Sequence, residues 1–302
     1  MASQGTKRTR NPLASTHVIT ICSRRHEDVW RLTSELLPRY VKADQYKVYV
    51  PESEMSFFSS ITPPVFQVNS QESLSQKYLE PLTQRLVESG NPERLGWYAQ
   101  QFHKIEALRV SDGNFLVIWD ADCVPVSEIQ LFSSGGEPIY MGSTEHHEPY
   151  FAAIEKLTGL SSRHHSSFVI PGFPITAEMM ASFISAIETN HQVPWYEAIM
   201  DSTDFSLASG FSETETLGTW VMSRSKESLI TSEVTWERYG THRFGYARHF
   251  TPQRLVALAR AKGLQIVSFE NWNEPHWTVR FRTALIGSIR NFIKKYFTQK
   301  PL

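Results

Sequence analysis

The sequence predicts an α/β fold in which a mostly parallel central sheet carries helices on both faces. Through the first half of the chain, short runs rich in β-branched residues alternate with longer segments of helical periodicity. Such a β-α-β succession is typical of parallel strands joined by helical crossovers. The run at residues 115–119 is apolar throughout, which is typical of a strand that is buried on both faces.

Local signals place the elements of the first half. Predicted strands end at a cysteine or a proline, or run into a polar turn, and they cover residues 17–22, 46–50, 65–68 and 115–119. A helix is predicted to begin at residue 23 and to end near Pro38, because proline disfavours the helical conformation of the residue before it. A helical stretch interrupted at residues 90–92 precedes a second clear helix, predicted over residues 95–110.

The second half is less regular. Strands are predicted at residues 137–143, 167–170 and 264–269, and helices at residues 176–189, 213–221 and 252–262. Thr176 is suited to cap the first of these helices, and Glu178 to interact with its dipole. We find no internal repeat and no segment of low complexity.

The composition is that of an ordinary folded domain, with 41% hydrophobic and 20% charged residues. Basic and acidic residues number 30 and 31, so no global charge recruits nucleic acid. The two cysteines, Cys22 and Cys123, cannot form a disulfide framework, and their positions at strand ends predict buried thiols in a reducing compartment. With no secretory signal in residues 1–15 and no apolar run long enough to span a bilayer, we expect a cytoplasmic protein.

Three segments are expected along the chain. Residues 1–15 form a polar leader, residues 16–272 a single α/β domain, and residues 273–302 a basic amphipathic helix. From residue 277 to residue 297 apolar residues recur at helical spacing, and the charged residues there are all basic. Such a helix binds an anionic membrane surface, which would place the protein on the inner face of the membrane, or it docks on its own domain; both readings stay open.

The most informative motif is the pair Asp120 and Asp122, which directly follows the apolar strand at residues 115–119. Ligands of open α/β sheets collect beyond the carboxyl ends of the strands. Two carboxylates there can hold a divalent cation, Mg²⁺ or Mn²⁺, against an anionic ligand such as a diphosphate. The alternative is a surface turn, in which aspartate is common.

A second group of polar residues lies on the helix before that strand. Gln100, Gln101 and Lys104 are spaced so that amides and ammonium can share one face. These groups suit sugar hydroxyls and phosphate oxygens, although a solvated polar face would show the same pattern.

Four motifs in this order resemble a bacterial family of glycosyltransferases with the GT-A fold, over roughly residues 16–272. They are Gly96-Trp97-x-x-Gln100-Gln101-x-x-Lys104, Asp120-Ala121-Asp122, Phe168-Val169-Ile170-Pro171-Gly172-Phe173 and Phe211-Ser212-Glu213-Thr214-Glu215. The resemblance implies a nucleotide-sugar donor, a divalent metal, and a glycan or lipid-linked glycan acceptor in the synthesis of bacterial surface polysaccharide. It also implies that Asp120 and Asp122 bind the metal and the donor diphosphate, and that Gln100, Gln101 and Lys104 contact substrate.

The acid pair Glu213 and Glu215 is the candidate for the base. Direct, inverting transfer needs a group that removes the proton of the acceptor hydroxyl, and a carboxylate is suited to this. In inverting GT-A enzymes the base is an acid well after the Asp-x-Asp, which either glutamate satisfies. The alternative is that Glu213 only stabilises the start of a helix, an effect of ~0.3–1 kcal/mol.

The remaining site residues are assigned by position. Ser23 and Arg24, at the end of the first strand, are expected to contact the nucleotide base or phosphate, although Arg24 could equally be a surface charge. Glu145 and His146 are expected to line the acceptor side. GT-A enzymes often add a histidine ligand after the last core strand, which points to His276, with His242 and His249 as other options. Adjacent histidines at 146–147 and 164–165 diverge, so neither pair has the spacing of a zinc site.

Two other classes of function remain open. Phosphatases of the haloacid-dehalogenase type also place Asp-x-Asp after a strand and use the first aspartate as nucleophile. A non-catalytic sugar-binding protein could keep the same fold and use tryptophans for stacking on sugars; the candidates are Trp119, Trp195, Trp236 and Trp272.

Overall fold

A computed structural model of the chain describes residues 15–161, 167–225 and 229–270. Its strands are β1 (Thr16–Ile21), β2 (Gln45–Val50), β3 (Phe66–Ser70), β4 (Phe115–Trp119), β5 (Cys123–Pro125), β6 (Ile139–Met141), β7 (Gly172–Thr176), β8 (Ile230–Ser232), β9 (Trp236–Glu237) and β10 (Ile266–Ser268). Its α-helices are α1 (Glu27–Tyr40), α2 (Met55–Ile61), α3 (Glu72–Ser75), α4 (Leu79–Glu88), α5 (Leu95–Arg109), α6 (Glu148–Thr158), α7 (Ala177–His191), α8 (Trp195–Ser202), α9 (Glu213–Arg224), α10 (Gly240–Phe244) and α11 (Pro252–Arg260).

The central sheet has five strands in the order β3-β2-β1-β4-β7. The first four are parallel to one another, and β7 runs antiparallel to β4. All six residues of β1 are buried. Because alternate residues of a strand face opposite sides, both faces of the sheet are covered at its centre. The predicted α/β fold with a mostly parallel central sheet is confirmed.

Two small sheets adjoin the central one, with strand orders β5-β10-β9 and β6-β8. Three residues, Asp120 to Asp122, separate β4 from β5, so the chain passes from the central sheet to the three-stranded sheet within one turn. A second, smaller apolar cluster lies under that sheet, where Val124 and Val267 pack with Val29, Leu36 and Leu255. The Asp-x-Asp motif therefore lies at the junction of two sheets.

Helices α5 and α9 are internal elements. Every residue from Glu213 to Val221 of α9 is buried, and so are nearly all residues of α5 from Tyr98 to Leu108. Helix α9 packs against α5, α6 and α7. Polar side chains on α5 and α9 are thus held inside the protein, where they need partners.

Helix α1 ends at Tyr40, two residues beyond Pro38. A proline in the last turn forfeits a single internal hydrogen bond, and the Val41 N–H still donates to the Leu37 carbonyl. One prediction of local structure is wrong. Residues 167–170 do not form a strand, since only Ser167 makes an isolated bridge, to Ser143. The strand follows as β7, which contains a proline and pairs only with β4 among the described residues.

The other predicted elements are present with shifted ends. Thr176 caps α7 as predicted, its hydroxyl oxygen accepting from the Met179 N–H at 3.2 Å. The predicted leader lies outside the described residues except for residue 15, as does the C-terminal helix predicted at 273–302. Over the described ranges, no helix is long and apolar enough to cross a bilayer.

Candidate active site

The candidate site lies where the sheet order changes direction. From β1 the chain builds β2 and β3 to one side, whereas β4 pairs with β1 on the other side. Such a switch point opens a crevice beyond the carboxyl ends of the two central strands. Ser23 lies just beyond the end of β1, and Asp120 follows β4 directly. The two residues predicted to meet donor and metal therefore border the same crevice.

The backbone of the Asp-x-Asp turn is held from several sides. The Asp120 N–H donates to the Pro171 carbonyl at 2.9 Å, and the Asp120 carbonyl accepts from the Cys123 N–H at 3.1 Å. The Asp122 carbonyl accepts from the Phe269 N–H at 2.9 Å, which ties the turn to the end of β10. The turn is thus built into the junction of the sheets, which favours a ligand site over a solvated surface turn.

A buried ammonium joins one of these aspartates to α9. Lys104 Nζ donates to Asp120 Oδ1 at 2.7 Å and to Glu213 Oε1 at 2.6 Å. The side chains of Lys104 and Glu213 are 8% and 6% exposed, whereas that of Asp120 is 30% exposed. Burial lowers the pKa of Lys104, but the two carboxylates outweigh it and raise this pKa above its ordinary value. Lys104 therefore stays charged, as a cation shared by two acids.

The neighbouring glutamine holds the same glutamate by its backbone. Gln101 Oε1 accepts from the Glu213 N–H at 3.1 Å, and Gln101 Nε2 is buried with no hydrogen-bond partner among the described residues. Gln100 is half-buried. Of the three polar residues predicted to share a face of α5, Gln101 and Lys104 converge on Glu213.

Glu215 lies deeper than Glu213. Its Oε2 accepts from the Ser167 hydroxyl at 2.6 Å and from the Phe168 N–H at 3.0 Å, and its residue is 1% exposed. Burial raises the pKa of Glu215, and these hydrogen bonds oppose that effect. Ser212 caps α9, its hydroxyl oxygen accepting from the Glu215 N–H at 3.3 Å. Glu215 thus ties α9 to the segment that leads into β7.

Asp122 lies beside a second carboxylate, that of Asp120. Burial and the neighbouring charge of Asp120 raise the pKa of Asp122, and His26 partly offsets them. Its carboxylate accepts the weak Cys123 Sγ–H donor at 3.5 Å. A carboxylate with so little hydrogen bonding, next to a second carboxylate, is suited to bind a cation.

Glu270 is a site residue that sequence reasoning missed. Its Oε1 accepts from Arg238 Nε at 3.1 Å, while its buried Oε2 has no hydrogen-bond partner among the described residues. Burial raises the pKa of Glu270 to about 7, with Arg238 opposing and Asp122 adding to the effect. Arg238 also pairs with Glu145. The available signal was position, because Glu270 follows β10 as Asp120 follows β4.

The buried carboxyl of Glu270 predicts a pH dependence of stability. Its pKa rises from the ordinary 4.5 to about 7 on folding, so the folded state binds the proton more tightly. The resulting stabilisation is fully present below pH 4.5 and is lost as pH rises through about 7, by up to roughly 3 kcal/mol. We expect Glu270→Gln, which cannot lose a proton, to be more stable than wild type at pH 8 and similar at pH 4.5.

Urea unfolding across this pH range measures the effect, with the same substitution at the exposed Glu93 as control. A stability difference between Glu270→Gln and wild type that does not change with pH would contradict the prediction.

The other predicted site residues are placed as follows. Arg24 is exposed, its guanidinium 4.3 Å from the centre of the Phe57 ring, beside Glu27. His242 and His249 are both exposed. His146, in the loop before α6, has its Nε2 atom 3.0 Å from the Glu148 carboxylate. His147, in the same loop, has its Nε2 atom 2.9 Å from the carbonyl oxygen of Ser209, which precedes α9. His276, His164 and His165 lie outside the described residues.

Within residues 15–161, 167–225 and 229–270, no three histidine, cysteine, aspartate or glutamate side chains are gathered closely enough to hold a metal ion. Two aspartates alone make an incomplete protein shell. Mg²⁺ commonly has such a shell, in which one or two carboxylates act together with substrate phosphates and water. Asp120 and Asp122 fit a cation of that kind.

Fold and site together define an α/β protein with two aspartates directly after β4, at a topological switch point of the sheet. No known family model matches the chain, and no curated protein matches it. Among solved structures it is similar to mouse xyloside xylosyltransferase 1 in its apo form, with a TM-score of 0.46 and 9% sequence identity. That similarity covers 84% of this chain and 97% of the mouse chain.

Proposed function

We propose that this protein is a divalent-cation-dependent glycosyltransferase. It would move a sugar from a nucleotide-sugar donor to a glycan or lipid-linked glycan in bacterial surface polysaccharide synthesis. The observation that carries the proposal is the meeting of Asp120, at the end of β4, with Glu213, at the start of α9, around Lys104. A cation-binding carboxylate pair and a candidate base would thereby border one crevice.

The donor would bind at the switch point between β1 and β4. Asp122 and Asp120 would hold Mn²⁺ or Mg²⁺, which neutralises the charge of the departing diphosphate. Ser23 and Arg24, beyond the end of β1, would contact the nucleotide. Asp120, which is partly exposed, would also reach the ribose or the sugar.

Glu213 would act as the base. Lys104 occupies its Oε1, so Oε2 is the oxygen that would accept the proton of the acceptor hydroxyl. The acceptor oxygen would then form its bond to the anomeric carbon as the bond from that carbon to the diphosphate oxygen breaks, with inversion. Glu215, whose Oε2 is already bonded to Ser167 and Phe168, would position α9.

Contact with an anionic membrane through residues 273–302 completes the proposal. The support for it is the sequence of that segment, which is basic and amphipathic. Equal flotation of the full-length and 1–276 chains with anionic liposomes would remove it.

Hydrolysis of the donor tests the central claim. We expect slow release of nucleoside diphosphate that requires Mn²⁺ or Mg²⁺, from a donor first identified by screening nucleotide sugars for a rise in melting temperature. Asp122→Ala is expected to lower this rate at least ~100-fold, because even changes that only reorient metal ligands cost ~10–100-fold.

Asp112→Ala is the matched control. Asp112 precedes β4 and lies at the amino end of that strand, away from the Asp-x-Asp pair at its carboxyl end. Its exposed carboxylate pairs with Lys47, so its loss is expected to leave hydrolysis unchanged. Metal-independent hydrolysis, or equal rates for Asp122→Ala and wild type, would overturn the proposed function.

A further inference from the structure

Two acids, one partly exposed and one buried, share one buried ammonium at the centre of the site. Asp120 and Glu213 come from β4 and α9, and Lys104 Nζ lies 2.7 Å from an oxygen of the first and 2.6 Å from an oxygen of the second. Asp120 Oδ1 therefore cannot turn fully toward a bound cation without loosening its bond to Lys104. The ammonium and a divalent cation act on the same carboxylate.

Helix α5 also fixes the place of Glu213. Gln101 accepts from the Glu213 backbone N–H and Lys104 donates to the Glu213 carboxylate. These two residues lie three apart, on one face of the helix. Because α5 is buried and packs against β1, β4 and α9, it sets where Glu213 lies relative to the end of β4.

We propose that Lys104 is a positioning residue that couples the cation at Asp120 to the base Glu213, rather than a substrate contact. This inference depends on the proposed function, since it assumes a cation at Asp120. With a cation held at Asp120, Lys104 would pair mainly with Glu213 and would hold its carboxylate in place for the acceptor. The coupling is reciprocal, so a change at Glu213 would alter the affinity for the cation through Lys104.

The coupling predicts effects of opposite sign for loss of Lys104. Lys104→Met removes a positive charge next to Asp120, so Mn²⁺ is expected to bind about tenfold more tightly. The same change leaves Glu213 without its partner, so the rate of transfer is expected to fall. A residue that only supports the fold would weaken both properties.

Mn²⁺ affinity, measured calorimetrically with nucleoside diphosphate present to complete the shell of the cation, allows a double-mutant cycle. Glu213→Gln leaves Lys104 to Asp120 alone, so we expect Mn²⁺ binding to weaken by about three- to tenfold. In a Lys104→Met background the same substitution is expected to have an effect at least threefold smaller. Lys47→Met is the matched control, because Lys47 is also largely buried but pairs with Asp112, at the amino end of β4.

The outcomes separate the two proposals. If wild type does not bind Mn²⁺, or if Asp122→Ala binds it equally well, the proposed function fails. If wild type binds Mn²⁺ through Asp122 but the two substitutions act additively, only the role of Lys104 fails. If Lys104→Met does not fold, the double variant is compared with Glu213→Gln, from which it differs only at Lys104. Coupling requires the double variant to bind Mn²⁺ at least about thirtyfold more tightly, whereas about tenfold is what additive substitutions would give.

Discussion

Replacing Glu213 by glutamine is expected to lower the rate of sugar transfer by about 100- to 10,000-fold, the usual contribution of a general base. The amide keeps the size of the side chain and can still accept a hydrogen bond from Lys104. It cannot take up the proton of the acceptor hydroxyl. Donor binding, followed by the rise in melting temperature, is therefore expected to persist while kcat falls.

Two matched variants separate catalysis from helix stabilisation. Glu178→Gln removes an exposed carboxylate from the first turn of α7, so it reports the effect of a helix dipole alone, ~0.3–1 kcal/mol. Glu215→Gln is expected to alter stability and to keep kcat within about tenfold of wild type, because Glu215 bonds to Ser167 and Phe168. If Glu215→Gln lost transfer and Glu213→Gln kept it, the two roles would have to be exchanged.

The second large effect is expected at a glycine inside α9. A Cβ at Gly218 would lie 2.1 Å from Cγ of Phe168, close to the root of that ring, where the side chain cannot move aside. Gly218→Ala is therefore expected to destabilise the protein by about 1–3 kcal/mol through overpacking. It would also displace the segment at Phe168 that Glu215 holds, and thereby lower activity.

Gly96→Ala is the control for the helical propensity of alanine. A Cβ at Gly96, near the start of α5, meets nothing within 4 Å, so this change is expected to stabilise by about 0.4–1 kcal/mol. Urea unfolding of both variants measures the difference. Stabilisation of Gly218→Ala as well would show that Phe168 does not pack against α9 in this way.

The position of the Asp-x-Asp pair at the end of a buried strand could be predicted because its signals are local. Five apolar residues mark a buried strand, and the residues directly after it must lie at the strand's carboxyl end. The same logic found Ser23 beyond β1. Local sequence signals were misleading where tertiary contacts set the limits of an element. Pro38 lies within α1, and Pro174 lies within β7, the edge strand of the described central sheet.

The contacts inside the site could not be predicted in this way. Lys104, Asp120 and Glu213 were each recognised as candidates, but the sequence does not say that the Lys104 ammonium joins the two acids. Glu270 and Arg238 were missed. The position of Glu270 after a predicted strand was the available signal, but the sequence does not indicate that this strand, β10, ends beside Asp122. The third ligand was sought at His276, which lies outside the described residues.

The sequence by itself determined the class of fold, the order of the elements and the carboxylate pair at the end of β4. It could do so because each kind of element buries apolar residues at a characteristic spacing, which is visible among residues close together in the sequence. Only the tertiary structure decided that Glu213 meets Asp120 through Lys104, that Glu215 anchors Ser167 and Phe168, and that Glu270 lies near Asp122. Those pairings join residues distant in sequence, and they exist only because the packing of α5, α9 and the two sheets brings them together.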